Sequence, residues 1–359
     1  MTELLADHTT FRVGGPVRAW VDATTTEELV HAVRSADERG EPVLVLSGGS
    51  NILASDDGFE GTVVHVATRG LSVDGSFCEF DADAGTAANP APAACGGMLA
   101  EVQAGESWDR FVEYAVRHEL VGIEALSGIP GLVGSTPIQN VGAYGQEVAQ
   151  TIWSVRTWDR AEGAYRTFAN ADCHFSYRMS RFKADPGRYV VLSVTFQLAQ
   201  GTRSAPLRYG ELARRLGVGD GGRAPLGDVR RTVLELRRGK GMVLDPADHD
   251  TWSAGSFFTN PLLTAEAAAT LPEEAPRFPQ PDGLVKSSAA WLIDHAGFGK
   301  GFGEPPATLS TKHTLALTNR GGAKAADIVA LARRVRDGVR DAYGVELVPE
   351  PVFLGVSLD

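Results

Sequence analysis

The first part of the chain combines short apolar runs with one amphipathic segment. Residues 17–23 and 42–46 are mainly apolar, whereas residues 26–38 place their apolar side chains on one helical face, with Thr26 as a possible cap. Helical spacing predicts a helix, and a short continuous apolar run is typical of a buried strand. A further apolar run follows at 62–66. This order of elements predicts an α/β start for the fold.

Two later segments carry apolar side chains at the spacing of one helical face. The first follows Ser107, a residue type that favours N-caps, and the second runs to Gly344, a residue type that favours C-caps. The first stripe contains Trp108, Phe111, Val112, Ala115 and Val116. The second contains Ile328, Leu331, Ala332, Val335, Val339 and Tyr343. Each stripe predicts a helix that packs by this face against a core.

The remaining regular elements follow from shorter patterns, and the length of the chain favours more than one lobe. A change of composition at 199–206 indicates a boundary between lobes. Residues 80–98 are rich in Ala, Gly and Pro, which predicts a surface insertion. Strands are predicted at 152–158, 189–197 and 352–354, and helices near 209–216 and 228–238.

Composition narrows the class of protein. Apolar residues make up 43% and charged residues 22% of the chain, as in ordinary globular proteins. The net charge of −11 and the scattered basic residues argue against a nucleic-acid surface. No run of eighteen apolar residues predicts a membrane span. Cys78, Cys95 and Cys173 form no CxxC pair, and the eight histidines show no metal-binding spacing, so we predict a cytoplasmic protein without a metal site.

Two glycine-rich segments are candidates for binding a large cofactor. Residues 47–51 (SGGSN) follow a predicted strand, but they match neither GxGxxG nor the P-loop, and alone they favour a simple turn. Residues 127–145 contain five glycines and two prolines, which excludes regular structure over most of that length. A long irregular loop in a compact protein is usually functional. Together the two segments predict a dinucleotide cofactor.

Three charged or hydroxyl residues stand in unusual surroundings. Arg178 follows Tyr177 and could hold a carboxylate in bidentate fashion, although such residues are more often solvated surface. Ser256 lies between a glycine and two phenylalanines, and by itself it indicates a turn. Glu350 lies between two prolines before an apolar run, where a strand-edge charge is the commoner case. None of the three is diagnostic alone.

Several of these segments, in this order, resemble the UDP-N-acetylenolpyruvoylglucosamine reductases. The motifs that carry the resemblance are residues 8–15, 47–51, 129–131, 137–145, 177–178, 254–261, 286–294 and 349–350. The resemblance implies a mixed α/β and α+β fold, with a two-lobed FAD-binding domain of the vanillyl-alcohol-oxidase type and a C-terminal α+β substrate domain. On this basis we expect FAD-binding lobes at 1–67 and 68–205, a UDP-sugar domain at 206–344, and a strand at 345–359 that returns to the active site.

The same resemblance implies reduction of UDP-N-acetylglucosamine enolpyruvate to UDP-N-acetylmuramate by NADPH through bound FAD, with no nucleic acid, membrane insertion or obligatory protein partner. Arg178 would hold the substrate carboxylate, Ser256 would protonate the substrate, and protonated Glu350 would assist. The implied cofactor residues are Ser47, Gly48, Gly49, Ser50, Asn51, Ile129, Gly131, Gly134, Ser135 and Gly142. The implied substrate residues are Tyr144, Tyr209, Lys240, Asn260 and Lys286.

The sequence departs from the family pattern in two places. The insertion at 80–98 is longer than expected, and Val243 stands where a substrate-phosphate lysine is expected, so Lys240 is the substitute that we predict. Three other functions stay open at this point. They are a flavin oxidase acting on an alcohol, a serine hydrolase, although the GxSxG motif is absent, and a nucleotide-binding regulatory module.

Overall fold

The computed structural model describes residues 2–75 and 97–358 of the chain. These residues fall into two compact units, and the chain passes between them several times. What we call the terminal unit comprises Met1–Trp20, Gly49–Thr62 and Arg237–Asp359, and the central unit comprises Val21–Gly48 and Val63–Leu236. The predicted lobe limits after residues 67, 205 and 344 stay predictions.

Both helices and strands occur along the described residues, often with several strands in succession. The helices are α1 (Thr26–Glu38), α2 (Trp108–Arg117), α3 (Arg181–Ala184), α4 (Gly210–Arg215), α5 (Leu226–Gly239), α6 (Ala265–Ala269), α7 (Ala289–His295) and α8 (Ala325–Tyr343). The first six strands are β1 (Val17–Ala23), β2 (Val43–Leu46), β3 (Ile52–Ala54), β4 (Phe59–Val66), β5 (Leu71–Asp74) and β6 (Gly97–Gln103). Three two-residue strands come next: β7 (Leu120–Val121), β8 (Gly142–Ala143) and β9 (Gln146–Glu147). They are followed by β10 (Ile152–Asp159), β11 (Ala164–Ala169) and β12 (Tyr189–Gln200). The strands that follow are β13 (Leu262–Leu263), β14 (Phe278–Pro279), β15 (Val285–Lys286), β16 (Gly303–Glu304), β17 (Ala307–Leu309), β18 (Leu317–Asn319) and β19 (Val352–Leu354).

Most of the predicted elements are confirmed, with shifts of a few residues at their ends. The loop predicted at 127–145 is also confirmed, since it holds only a short 3₁₀ turn at Val133–Ser135 and the two-residue strand β8. The insertion predicted at 80–98 lies outside the described residues except for its last two positions, which belong to β6.

The N-terminus of α1 corrects the sequence prediction by one residue. Thr25, not Thr26, is the N-cap: its side chain accepts a hydrogen bond from the Glu28 backbone N–H at 3.1 Å, and the Glu28 carboxylate accepts one from the Thr25 backbone. This reciprocal pair is a capping box. The position of Glu28, three residues after Thr25, therefore selects the cap among three successive threonines.

A large antiparallel sheet forms the centre of the central unit. Its strand order is β11-β10-β12-β6-β5, and β7 pairs with the end of β12. Trp108 and Phe111 of α2 pack on Phe196 of β12, with ring centroids 5.9 and 5.1 Å from the Phe196 ring. The Trp108 indole N–H donates to the Leu126 carbonyl at 3.0 Å, so the buried ring has no unsatisfied donor. A second sheet has the order β1-β4-β2.

The terminal unit has its own core around α7 and α8. The predicted stripe of α8 is buried from Ile328 to Val339, and Gly344 ends the helix in the left-handed conformation with φ 66°. The Phe298 ring lies against Gly338 of α8, where an added Cβ would be 2.2 Å from a ring carbon. In the same unit, β19 pairs in parallel with β3.

A small satellite core in the central unit holds α4 and part of α5. It is formed by Leu207, Leu212, Ala213, Ala224, Val229, Val233 and Leu236, together with Ala125. Arg230 connects this satellite core to α2 through two hydrogen bonds to the Asp109 carboxylate, at 2.6 and 2.9 Å.

None of the helices in residues 2–75 and 97–358 has the length and apolar character needed to cross a membrane.

Candidate active site

Within the central unit, the start of the first glycine-rich segment, Ser47 and Gly48, lies directly against the second segment. A Cβ added at Gly48 would lie 2.8 Å from the Gly131 Cα. The second segment also packs against the residue after β6, since a Cβ added at Gly134 would lie 2.5 Å from the Ala104 Cβ. Among the described residues, the buried Ser47 hydroxyl has no hydrogen-bond partner. Glycine allows a close backbone approach, and a buried hydroxyl without a partner is costly unless a ligand supplies one. These two loops therefore form a cradle for a polar ligand.

The second half of the segment 47–51 belongs to the terminal unit. Gly49 has φ +58°, and an added Cβ would lie 1.8 Å from the His8 carbonyl oxygen, so only glycine fits this position. The Gly49 carbonyl accepts a hydrogen bond from the Thr10 N–H at 3.0 Å. Ser50 and Asn51 follow, half-buried, and Asn51 connects this turn to the C-terminal strand. Residues 8–15, the N-terminal motif, thus support this turn through the contacts of His8 and Thr10 with Gly49.

Arg178 is held by the long loop of the central unit. Its two terminal nitrogens donate to the Asn140 carbonyl at 3.3 Å and the Gly142 carbonyl at 2.8 Å. The Lys183 ammonium donates to the Arg178 carbonyl at 3.1 Å. A Cβ at Gly142 would lie 3.2 Å from the guanidinium, so glycine makes room for the side chain. The guanidinium is half-buried and fixed in place, which suits bidentate binding of an anion.

Arg178 and two residues of the loop that holds it have strained backbone conformations with positive φ. Asn140, Tyr144 and Arg178 have φ angles of 44°, 51° and 55°, and they are three of the six non-glycine residues with positive φ in the described part of the chain. Buried Asn140 donates to the Glu147 carboxylate and the Ser176 carbonyl and accepts from the Ala149 N–H. Such strain persists only where the surroundings enforce it, and it is common at functional sites.

Two tyrosines form an aromatic pair in the central unit. The Tyr144 and Tyr209 rings meet edge to face, with centroids 5.2 Å apart. The Tyr209 side chain is 37% exposed, and this residue immediately precedes α4.

Two predicted cofactor residues also lie in the central unit. Ile129 packs half-buried against the main core, and the Ser135 hydroxyl donates to the Leu132 carbonyl at 2.7 Å.

The structure brings Ser256 and Glu350 to neighbouring positions in the terminal unit. Phe257, which follows Ser256, is fully buried, and its carbonyl accepts a hydrogen bond from the Glu350 N–H at 2.8 Å. The Glu350 carbonyl accepts one from the Asn51 side chain at 3.3 Å. The parallel pairing of β19 with β3 fixes this arrangement, because β3 begins directly after Asn51. Three predicted residues that are far apart in sequence are thus adjacent here.

Two of the predicted substrate residues also meet in the terminal unit. The Asn260 side-chain oxygen accepts a hydrogen bond from the Ala289 N–H at the start of α7, at 3.0 Å. The N–H of Ser287, the residue after Lys286, donates to the Pro261 carbonyl at 3.0 Å. Lys286 therefore lies on the strand that runs beside Asn260, and both side chains are half-buried.

Lys240 lies in an electropositive part of the terminal unit. Burial, together with the positive charges of Lys240 and Lys300, lowers the pKa of His313 from its ordinary value of 6.5 to about 4, and burial is the largest cause. His313 is therefore neutral at physiological pH, which avoids a third positive charge beside two lysines. The sequence pattern, which assigned all histidines to structure or surface, gave no sign of this environment.

The shifted pKa of His313 predicts a pH dependence of stability. Since the unfolded chain takes up a proton near pH 6.5 and the folded chain does so near pH 4, the stabilisation is complete above 6.5 and is lost as the pH falls towards 4. We expect His313→Gln to lose less unfolding free energy than the wild type between pH 7.5 and 5.0, measured by urea denaturation. His118→Gln, at an exposed histidine, is the control and should behave like the wild type. Equal losses in all three proteins would contradict the assignment.

Comparison with known proteins identifies the family. A family model described as "FAD binding domain" matches residues 17–169, and one described as "UDP-N-acetylenolpyruvoylglucosamine reductase, C-terminal domain" matches residues 245–354. The chain is 59% identical over 357 residues to the UDP-N-acetylenolpyruvoylglucosamine reductase of Cutibacterium acnes, covering 99% of this chain and 90% of that protein. The chain belongs to the UDP-N-acetylenolpyruvoylglucosamine reductase family.

Other members of the family extend this result. The Streptomyces coelicolor reductase is 54% identical over 366 residues, which cover 99% of this chain and 90% of that protein. The crystal structure of the Thermus caldophilus reductase is 26% identical, with a TM-score of 0.63, and covers 99% of this chain and 98% of that one. The predicted family and fold class are confirmed. For a member of this family, the close approach of Gly48 to Gly131 and the unpartnered Ser47 hydroxyl fit FAD, whose diphosphate can accept hydrogen bonds from backbone N–H groups and hydroxyls.

The close approach of Gly48 to Gly131 gives a direct test of the cradle. We expect Gly48→Ala to lose bound FAD and to lower the urea midpoint, since forcing a methyl group against backbone typically costs about 1–3 kcal/mol. Flavin absorbance per chain and urea denaturation measure the two effects. Gly219→Ala is the matched control, because a Cβ there meets no atom within 4 Å. A Gly48→Ala protein with full FAD content and wild-type stability would show that the contact is unimportant.

Some supporting residues were not assigned a role from sequence. Asn140 lies inside a quoted motif, yet only the structure shows that its side chain joins the loop to Glu147, Ala149 and Ser176. Asp250 is another case: its carboxylate accepts hydrogen bonds from the Thr311 N–H and from Arg320, at 2.8 and 2.9 Å. Burial acts to raise the pKa of Asp250, but its hydrogen bonds outweigh burial and the pKa is lowered. The ionised carboxylate therefore anchors the turn that carries His313.

Proposed function

We infer that this chain is an NADPH-dependent flavoenzyme that reduces UDP-N-acetylglucosamine enolpyruvate to UDP-N-acetylmuramate, a step of peptidoglycan precursor synthesis. The observation that carries this inference is the 59% identity to a named reductase over nearly the whole chain. The match to an FAD-binding domain supports the cofactor. NADPH is the reductant of the family, and the proposed place of action is the cytoplasm, where NADPH and UDP-sugars are present together.

The proposed FAD-binding residues are those of the two glycine-rich loops. When bound, FAD accepts a hydride from NADPH and supplies one to the substrate, which no protein side chain can do. The loops provide small residues, backbone N–H groups and the Ser47 hydroxyl. The full set is Ser47, Gly48, Gly49, Ser50, Asn51, Ile129, Gly131, Gly134, Ser135 and Gly142.

Arg178 is proposed to bind the carboxylate of the enolpyruvyl group. Reduction of a C=C bond conjugated to a carboxylate passes through an enolate, so negative charge grows on the carboxylate side during the reaction. A guanidinium already fixed by the Asn140 and Gly142 carbonyls needs little reorganisation to stabilise that charge. Arg178 thus acts as a permanent cation that orients the substrate and stabilises the enolate.

Ser256 is proposed to deliver the proton that completes the reduction. The serine hydroxyl is a weak acid, and it is effective only when positioned against the basic enolate carbon. The buried Phe257 and the hydrogen bond from Glu350 to its carbonyl hold the backbone of this segment in place. Glu350, in its protonated form, is proposed to donate a hydrogen bond to the developing charge.

The sugar nucleotide is proposed to be held by five residues: Tyr144, Tyr209, Lys240, Asn260 and Lys286. Lysines suit the diphosphate, the tyrosine pair can cover the ligand, and the Asn260 amide supplies a donor. We also propose which part of the chain binds which ligand. FAD is bound by lobes at 1–67 and 68–205, the UDP-sugar is bound by a domain at 206–344, and a strand at 345–359 returns to the active site.

A spectrum followed by a turnover assay tests the proposed function. The purified protein should show the visible absorbance of a flavin, and NADPH oxidation should depend on added UDP-N-acetylglucosamine enolpyruvate. A colourless protein would point instead to a nucleotide-binding regulatory module. Oxygen consumption with an alcohol, and no response to the UDP-sugar, would point to a flavin oxidase.

A further inference from the structure

The lobe that carries Tyr209 has an excess of arginine. Residues 203–231 contain seven arginines and three acidic residues, although the chain as a whole has a net charge of −11. Four of the seven guanidinium groups are engaged inside this unit. Arg203 and Arg223 donate to backbone carbonyls, Arg230 binds Asp109, and Arg231 binds Asp228. The other three arginines of this segment have no such partner among the described residues of the unit.

Arg208, Arg214 and Arg215 are the remaining three, and all are exposed. Within residues 2–75 and 97–358, the side chains of these three form no hydrogen bond or ion pair. An isolated exposed arginine is unremarkable as a surface residue. Three within eight positions, in an otherwise acidic protein, form a local positive surface that can attract an anion.

Two of the three arginines lie beside the tyrosine pair. Arg208 immediately precedes Tyr209, and its Cβ lies 3.7 Å from the position that a Gly145 Cβ would take, next to Tyr144. A terminal guanidinium nitrogen of Arg214 lies 3.3 Å from the position of a Gly210 Cβ, so this side chain folds back towards Tyr209. Arg215 is rotated by about 100° around the helix from Arg214 and presents a different side.

This combination of groups suits a nucleotide phosphate. Guanidinium groups bind phosphate oxygens in bidentate fashion, and neighbouring aromatic rings can contact a base or ribose. Arg208 and Arg214 are exposed, which suits a terminal phosphate that stays partly in water. Moreover, the lysines proposed for the sugar nucleotide, Lys240 and Lys286, belong to the terminal unit, not to this one.

We propose that Arg208 and Arg214 bind the 2′-phosphate of NADPH and so determine the preference of the enzyme for NADPH over NADH. The 2′-phosphate is a terminal dianion, and it is the only group by which these two nucleotides differ. An arginine placed at this phosphate is a general solution for NADP selectivity. The proposal rests on the proposed function, because it assigns residues to the reductant of that reaction.

Steady-state kinetics of the FAD-loaded enzyme with both nucleotides tests the proposal. We expect Arg208→Gln and Arg214→Gln each to lower kcat/KM for NADPH by about 10- to 100-fold, the loss typical of a charge-assisted hydrogen bond. The value for NADH should stay close to that of the wild type. Arg215→Gln removes the same charge from the neighbouring position and should leave the NADPH to NADH ratio unchanged.

Binding of 2′,5′-ADP provides a readout that needs no turnover. Calorimetric titration should show weaker 2′,5′-ADP binding in the Arg208 and Arg214 variants than in the wild type, with the weak binding of 5′-AMP unaltered. A loss that is equal for NADPH and NADH would overturn the proposal, as would one reproduced by Arg215→Gln. A raised KM for the UDP-sugar with an unchanged nucleotide ratio would assign the arginines to the sugar diphosphate instead.

These outcomes are separable from a failure of the proposed function. If the wild-type protein oxidised no NADPH in the presence of the UDP-sugar, the reaction assigned above would be wrong. The 2′,5′-ADP titration would still decide whether Arg208 and Arg214 recognise a 2′-phosphate. Conversely, an active enzyme whose two variants bind 2′,5′-ADP as the wild type does would remove only the specificity assignment.

Discussion

Ser256→Ala should slow reduction of the enolpyruvyl group by about 10²- to 10⁴-fold, the range typical of general acid catalysis, while flavin reduction by NADPH stays nearly intact. The reason is that only the sugar half-reaction requires a proton at carbon. Ser256 itself is half-buried, and the residue that follows it, Phe257, is fully buried. Stopped-flow measurement of each half-reaction distinguishes the two effects.

Thr259→Val serves as the control for Ser256→Ala. Thr259 lies three residues later in the same segment, and its hydroxyl donates to the Val348 carbonyl at 3.3 Å. Removal of this hydroxyl should leave both half-reactions close to wild-type rates. Equal loss of both half-reactions in Ser256→Ala would mean that the serine supports the structure and does not deliver the proton.

Arg178→Lys should lower kcat/KM for the UDP-sugar by about 10²- to 10³-fold, comparable with the loss of one preorganised donor to a developing oxyanion. Lysine keeps the charge and the Cβ, so the backbone at φ 55° carries similar strain in both proteins. However, one ammonium group cannot bind two loop carbonyls and a carboxylate in the planar geometry of a guanidinium. Steady-state kinetics with variable UDP-sugar measures the change.

Arg181→Lys is the matched control for this substitution. Arg181 starts α3, and its guanidinium donates to the Asp172 carbonyl at 2.6 Å, away from the loop carbonyls that hold Arg178. Its replacement should leave kcat/KM almost unchanged. The FAD content of both variants must also be measured. If Arg178→Lys lost activity only in proportion to lost FAD, the arginine would be a support for the loop and not a ligand of the substrate.

Elements with a strong local signal could be predicted from sequence. The apolar stripe of α8 is buried from Ile328 to Val339, and Gly344 ends the helix as its residue type indicated. The glycine content of residues 127–145 correctly predicted an irregular loop. In contrast, the cap of α1 was placed one residue too late, because three threonines compete there and only the reciprocal bonds of Glu28 decide between them.

The geometry of the candidate site could not be read from local patterns. Arg178, Ser256 and Glu350 were named through resemblance, but nothing in the surrounding sequence states that the Glu350 N–H binds the Phe257 carbonyl. That contact depends on pairing of strands roughly three hundred positions apart. Likewise, the left-handed conformation of Asn140 and Arg178 is imposed by tertiary hydrogen bonds, since both residue types adopt other conformations more readily.

The discontinuous course of the terminal unit has a consequence for biosynthesis. Strand β3 and its parallel partner β19 are separated by most of the polypeptide, and Asn51 contacts Glu350 across 299 positions. During translation, β3 is synthesised long before β19, so it stays unpaired and exposed to solvent and to chaperones. The sheet around β12 can already assemble in that time. A ribosome stalled before residue 352 would hold a nascent chain in which Glu350 has no strand to fix it, so the position proposed for Glu350 is reached only after this late pairing has formed.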